Sequence, residues 1–372
     1  MRIIVMGGAG DMGSRAVEDL ALQEGLEEIT IADKNLDSAQ KLAERLKDKP
    51  VQVNAKYVDA MDHNALVKAI SGYDLVASAL GPFYIFESRL IRACIKAEVN
   101  YASICDDWSA AEEVINRFSE PARERGVIIV TGLGTSPGIS NVGVRYLADE
   151  MDEVERAEVY VYMPLRAGGG PAVIEHTLFI MSGEVPSYRT GQWVRIKACA
   201  EARLVDFPRF GKQKVWNMGH AEPVTIPRFI KGIKEVNFFM GFGRGSSLLV
   251  VPSKLGMFDR PATKRFFSKL LHYLEGIGSQ AEPEWGAVRI DVWGKKEGKD
   301  AHMLGCGIGQ MREATGLSLA VGALMMAREE ITVKEGGVYA PEACFDPKKF
   351  LTYLKERGIQ AYFDLEMTKP VV

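Results

Sequence analysis

The chain has 372 residues, of which 47% are hydrophobic and 26% charged, and a formal net charge of −3. Those values fit a folded protein of two domains, and they give no electrostatic footprint for nucleic acid, since the basic clusters at 203–214 and 264–269 are broken by apolar residues. No apolar run is long enough to cross a bilayer, and five cysteines without a CxxC pair exclude a disulfide framework and a structural zinc.

The first strand-like run, Ile3 to Met6, begins almost at once, which leaves no room for a secretion signal, so a cytoplasmic protein is expected. It is followed by Gly7-Gly8-Ala9-Gly10-Asp11-Met12-Gly13 and then by Ala16, Val17, Leu20 and Ala21 at helical spacing. A second apolar run, residues 29–32, ends on Asp33, twenty positions past Gly13. Strand, glycine turn, helix, strand and acid in this order form a dinucleotide-binding unit. Gly8 permits the turn, Gly10 admits a pyrophosphate, and Gly13 lets the helix lie on the strand. The N–H groups around Asp11 and Met12 would then face the phosphates. Asp33 would accept hydrogen bonds from the ribose and repel a 2′-phosphate, which favours NAD. The neighbouring Lys34 partly offsets that charge and keeps NADP open.

The alternation continues. A helical pattern runs from Leu36 to Leu46, and residues 51–58 read as a third strand ending at Asp59-Ala60, where the carboxylate faces either the adenine side of a dinucleotide or a helix N-terminus. Residues 73–80 form a fourth strand, closed by Leu80-Gly81-Pro82, whose backbone suits the nicotinamide half of the cofactor. A helix at 86–97, a strand at 99–104, a helix at 109–125 and a sixth strand at 127–130 complete a doubly wound parallel sheet.

Beyond Asn141 the pattern changes. Residues 159–163, 193–198 and 288–293 alternate like strands of a second, mixed sheet, with helical stretches at 173–181 and 263–274. Residues 295–299 read as a hairpin turn, and 315–327 as an apolar helix that returns to the first domain. The expected organisation is an α/β Rossmann domain, residues 1–140 plus 305–372, with an α+β substrate and dimerisation domain at 141–304.

At this point the chain resembles the saccharopine dehydrogenase family, in the branch that includes lysine 6-dehydrogenases. The resemblance is carried by Gly8-Ala9-Gly10-Asp11-Met12-Gly13, Gly81-Pro82-Phe83, the segment from Asn100 to Asp107, and Ser136-Pro137-Gly138-Ile139-Ser140-Asn141. His220-Ala221-Glu222-Pro223-Val224, Thr315-Gly316-Leu317 and the run from Gly337 to Glu342 complete it. It implies a pyridine-nucleotide-linked oxidation of an amine and a second domain that carries substrate and dimer contacts. Many members have an acid where Ser103 stands, and saccharopine-forming enzymes often have Asp-Pro-Gly where this chain has Ser136-Pro137-Gly138.

Oxidising an amine needs a carbon–hydrogen bond held against the nicotinamide, a base near the working pH, and a water to hydrolyse the imine. Paired carboxylates tune such a base, which singles out Asp106 and Asp107 at the end of the fifth strand, although that pattern also caps helices. His176 follows a glycine-rich loop and is the other catalytic candidate. Arg166 offers a fork for a substrate carboxylate. Ser103, Asn141 and His220, in the family-like segments, are assigned to substrate. Neither a metal cluster nor a Gly-x-Ser-x-Gly nucleophile is present in the pattern, so no metal is expected. The expectation is an NAD(P)-dependent homodimer that removes the ε-amine of lysine. Two alternatives stand beside it, reductive condensation of an amine with an aldehyde or keto acid, and a non-catalytic dinucleotide sensor.

Overall fold

The computed structural model describes residues 1–164, 170–243, 246–260, 262–264, 266–270 and 285–372. The chain divides into two compact units, Met1–Val142 with Arg312–Arg357, and Gly143–Met311 with Gly358–Val372.

The first unit begins with β1 (Arg2–Met6), α1 (Asp11–Leu20), β2 (Glu28–Asp33), α2 (Leu36–Arg45), β3 (Gln52–Tyr57) and α3 (His63–Ile70). It continues through β4 (Leu75–Ser78), α4 (Phe83–Ala97), β5 (Asn100–Ser103), α5 (Trp108–Glu124) and β6 (Ile128–Thr131), and α6 (Ile139–Asp149) carries the chain onward. The second unit holds β7 (Glu153–Tyr162), α7 (Gly170–Ile180), β8 (Glu184–Arg189), β9 (Gln192–Lys197), β10 (Ala202–Phe207) and β11 (Gly211–Asn217). After these come α8 (Glu222–Phe229), β12 (Glu235–Gly241), α9 (Ser247–Lys254), β13 (Gly286–Lys296) and β14 (Lys299–Gly309). The return segment forms α10 (Met311–Ala327), β15 (Gly337–Tyr339), α11 (Pro341–Cys344) and α12 (Pro347–Glu356).

The first sheet is a parallel Rossmann-like sheet in the order β15-β6-β5-β4-β1-β2-β3. Its interior strand β1 is apolar on both faces because helices cover both; Ile3, Ile4 and Val5 are wholly buried. The order reverses between β1 and β4, which opens the crevice where such sheets bind ligands. The sheet has seven strands, not the six read from the sequence. The seventh, β15, pairs with β6 and is only three residues long, too short to show a period. The helix α10 is buried along nearly its whole length, which explains why it is apolar all round.

The second unit is built on a mixed sheet, β10-β11-β12-β7-β13-β14, with β8 beside β12 and β9. The strand β7 turns Ala157 and Val159 into the main core and Tyr160 and Tyr162 into a smaller cluster with Phe207 and Phe239. The β13–β14 hairpin turns at Glu297-Gly298, both with positive φ, as the charged glycine-containing segment predicts. The expected boundary at residue 305 falls inside this hairpin. Residues 358–372 also belong to the second unit, where Tyr362 and Cys306 exchange backbone hydrogen bonds of 2.8 Å. Among the described residues, no helix is long and apolar enough to cross a membrane.

Candidate active site

In the first unit, the turn after β1 is shaped by contacts that forbid side chains. Gly7 has φ +68°, and a Cβ there would lie 3.0 Å from the Ala79 carbonyl at the end of β4. At Gly13 a Cβ would lie 2.2 Å from the Gly7 carbonyl, so α1 can approach the turn only as glycine. Gly10 precedes α1 in extended conformation, and among the described residues no side chain caps it. The first-turn N–H groups of Asp11, Met12 and Gly13 lack intrahelical acceptors, as in any helix, and are available to an anion.

The second half of the fingerprint is equally specific. Asp33 accepts from the Ala9 N–H at 3.1 Å and from the Asn35 N–H at 2.9 Å, which fixes the carboxylate beside the glycine turn. Lys34 pairs with Asp59 at 3.4 Å. Asp59 also accepts from the Met61 N–H, and that bond, more than Lys34, holds its carboxyl below the usual range. Ala60, next to it, is buried. After β4, Leu80 donates its N–H to Ser78 Oγ at 3.3 Å, and Gly81-Pro82 leads into α4. A Cβ at Gly81 would meet nothing within 4 Å. A cradle closed to side chains, a bare helix start and a carboxylate fixed beside the turn together fit an adenine dinucleotide. Such a cofactor supplies the hydride-carrying nicotinamide.

The two acids after β5 have different surroundings. Asp107 is buried, and its Oδ2 accepts the Tyr84 N–H at 3.1 Å, tying the start of α5 to the first turn of α4. Asp106 is partly exposed. Ser103, expected at the substrate, is wholly buried and donates to Glu87 Oε1 at 2.6 Å. Glu87 is a residue that the sequence reading missed. It also accepts from Tyr101 Oη at 2.8 Å and Thr131 Oγ1 at 2.9 Å. Burial raises the Glu87 carboxyl, while the three hydroxyls pull the other way. Burial likewise lifts the Cys105 thiol well above its ordinary range. Asn141 is buried too, donating from Nδ2 to Glu342 Oε2 at 2.9 Å and accepting the Gly138 N–H at 3.4 Å.

The second unit contributes a histidine–carboxylate pair. His220 Nδ1 lies 2.5 Å from Glu222 Oε2, and Glu222 is wholly buried at the start of α8. The His220 ring stacks on Phe238 of β12, with centroids 4.0 Å apart and planes 9° from parallel. The ring is therefore fixed by a hydrogen bond at one edge and an aromatic face on its side. The Glu222 contact engages Nδ1 and holds the imidazole in one orientation. His176, on α7, meets His220 edge-on at 6.2 Å between centroids. The two histidines chosen from the sequence thus belong to one cluster, and Glu222 is its unforeseen member. Arg166 lies outside the described residues, as does part of the helix expected at 263–274.

Two family models match the chain, the saccharopine dehydrogenase NADP binding domain over residues 3–130 and the saccharopine dehydrogenase C-terminal domain over 172–359. The chain belongs to the saccharopine dehydrogenase family. Carboxynorspermidine synthase of Vibrio cholerae serotype O1 is 28% identical over 326 residues, covering 78% of each chain. A saccharopine dehydrogenase-like oxidoreductase of Rattus norvegicus is 22% identical over 163 residues, 41% of this chain and 38% of that protein. Among solved structures, apo saccharopine dehydrogenase (L-Glu forming) of Saccharomyces cerevisiae has a TM-score of 0.70 at 14% identity, covering 96% of this chain and 98% of the yeast chain. That is a likeness of fold. As a member of the saccharopine dehydrogenase family, this chain is an NAD(P)-binding oxidoreductase.

Proposed function

We propose that this family member joins an amine to an aldehyde or keto acid and reduces the intervening imine, forming a secondary amine. The observation that carries the proposal is the 28% identity with a carboxynorspermidine synthase across 78% of both chains. That likeness spans both units, and it moves condensation ahead of the lysine deamination expected from the sequence. The reaction balances simply. Amine and carbonyl lose water to give the imine, and a hydride and a proton then convert it to the secondary amine.

Within this proposal the cofactor is NAD: the Asp33 carboxylate, held by the Ala9 N–H, would repel a 2′-phosphate, and Lys34 is engaged with Asp59. His220, oriented by Glu222, carries protons during carbinolamine dehydration and imine reduction. His176 and Asp106 are the other groups proposed for proton transfer, and Arg166 is proposed to bind a substrate carboxylate. A cytoplasmic homodimer belongs to the same proposal, with light scattering as its check.

The test follows reduced-nicotinamide absorbance in purified protein with diamines, aldehydes and keto acids, singly and in pairs. Oxidation of NADH only when amine and carbonyl are both present supports the proposal. Reduction of NAD by lysine alone would replace it with oxidative deamination.

A further inference from the structure

One cluster of charge beside the fingerprint has no part in hydride or proton transfer. Along one face of α1 stand Asp11, Ser14 and Glu18, and Arg312, at the start of α10, reaches all three. Its Nε is 3.3 Å from Asp11 Oδ1. Its Nη2 donates to Ser14 Oγ at 3.2 Å and to Glu18 Oε2 at 3.0 Å. Its Nη1 donates to Glu313 Oε1 at 3.0 Å, and Arg15 Nε donates to the other oxygen of Glu313 at 2.5 Å. One turn further along α10, Gly316 brings the helices into contact. A Cβ there would lie 2.6 Å from Arg15 Cβ and 2.9 Å from the Met12 carbonyl. That close approach sets Arg312 over the first two turns of α1.

The placement answers an electrostatic problem. A carboxylate in the first turn suits a helix N-terminus with nothing bound, but it repels the pyrophosphate that the same turn receives. Asp11 is such a carboxylate, and its side chain is 63% exposed. Among the described residues, no other cation pairs with Asp11. We propose that Arg312 is a cofactor-positioning residue: it neutralises Asp11 and aligns the first turn of α1, so that dinucleotide affinity depends on the returning segment of the chain. The inference rests on the dinucleotide site assigned to the fingerprint.

Fluorescence titration of the full-length protein with NADH tests it. Arg312→Gln is expected to raise Kd about tenfold at low ionic strength, with the deficit shrinking as salt screens the exposed charge. Adding Asp11→Asn to Arg312→Gln is expected to bring Kd back to within about twofold of the parent. Asp11→Asn alone is expected to tighten binding about threefold. An Arg312→Gln protein that binds like the parent overturns the proposal. So does a double variant as weak as the single one when both melt at the parental Tm. If Arg312→Gln does not fold, an Asp11→Asn protein that binds no more tightly than the parent overturns it instead. A parent protein that binds neither NADH nor NADPH overturns the cofactor assignment and the proposal with it, whereas the other results overturn the proposal alone.

Discussion

On the proposed reading Asp33 selects the dinucleotide, and Asp33→Asn measures by how much. Its two oxygens accept the Ala9 and Asn35 N–H groups, and a carboxylate with about four acceptor sites keeps two for ribose hydroxyls. Hydrogen bonds to a charged group contribute about 1.5–3 kcal/mol and neutral ones about 1. Losing the charge should therefore weaken NAD binding by about 1–2 kcal/mol, roughly five- to thirtyfold. The same change removes the repulsion of a 2′-phosphate and should improve NADP binding by about tenfold. The NAD-to-NADP preference then moves by roughly two orders of magnitude. Asparagine keeps one accepting oxygen, so one backbone bond is lost at about 1 kcal/mol, and Tm falls by only about 2–4 °C. Titration of nicotinamide fluorescence with each dinucleotide gives the ratio, and a thermal melt gives the control. An unchanged ratio in a protein that still melts near the parental Tm would refute the placement of Asp33 at the ribose.

Three further outcomes are expected. Gly13→Ala drives a methyl into the Gly7 carbonyl, 2.2 Å away, and should cost about 3 kcal/mol together with dinucleotide binding, whereas Gly81→Ala, with open space around it, should leave Tm unchanged. On the proposed role of His220, Glu222→Gln should lower kcat about 10- to 100-fold with little change in NADH affinity, because it weakens the contact that orients the His220 ring; steady-state kinetics beside a binding titration would separate the two. Glu87 predicts a pH dependence. Burial raises its folded pKa above the ordinary 4.5, so the folded chain holds the proton to higher pH than the unfolded one. The stability from this group is full below the unfolded value and is lost as pH rises through the folded value. Glu87→Gln removes that slope, so denaturant unfolding at roughly pH 5 and pH 8 should show the parent losing more stability than the variant over that interval.

The first unit was legible because parallel strands covered on both faces read as continuous apolar runs, and because Gly7 to Gly13 and Asp33 obey spacing rules set by backbone approach. The strand β15 was not, since three residues after a long excursion carry no period. Glu87 was not singled out in the sequence, yet Glu87, Leu90, Ile91 and Cys94 fall at helical spacing on one buried face of α4, and that was the available signal. Ser103 and Asn141 illustrate the complementary difficulty. A polar residue at a strand end or helix start looks poised for a ligand until its partner is known, and Glu87 and Glu342 come from distant segments. His220 and His176 were chosen by context, but Glu222 gained meaning only when β12 placed Phe238 against the His220 ring and left Nδ1 facing the acid.

In the proposed reaction, hydride reaches the carbon of an imine joining two substrates. The most direct measurement incubates the purified protein with an amine, an aldehyde or keto acid, and NADH deuterated on the transferred position, followed by mass spectrometry of the product. The expected product is a secondary amine whose mass equals both substrates less one water plus one hydrogen and one deuterium. A primary amine recovered unchanged beside a deuterated alcohol, or lysine oxidised without any carbonyl partner, would contradict it.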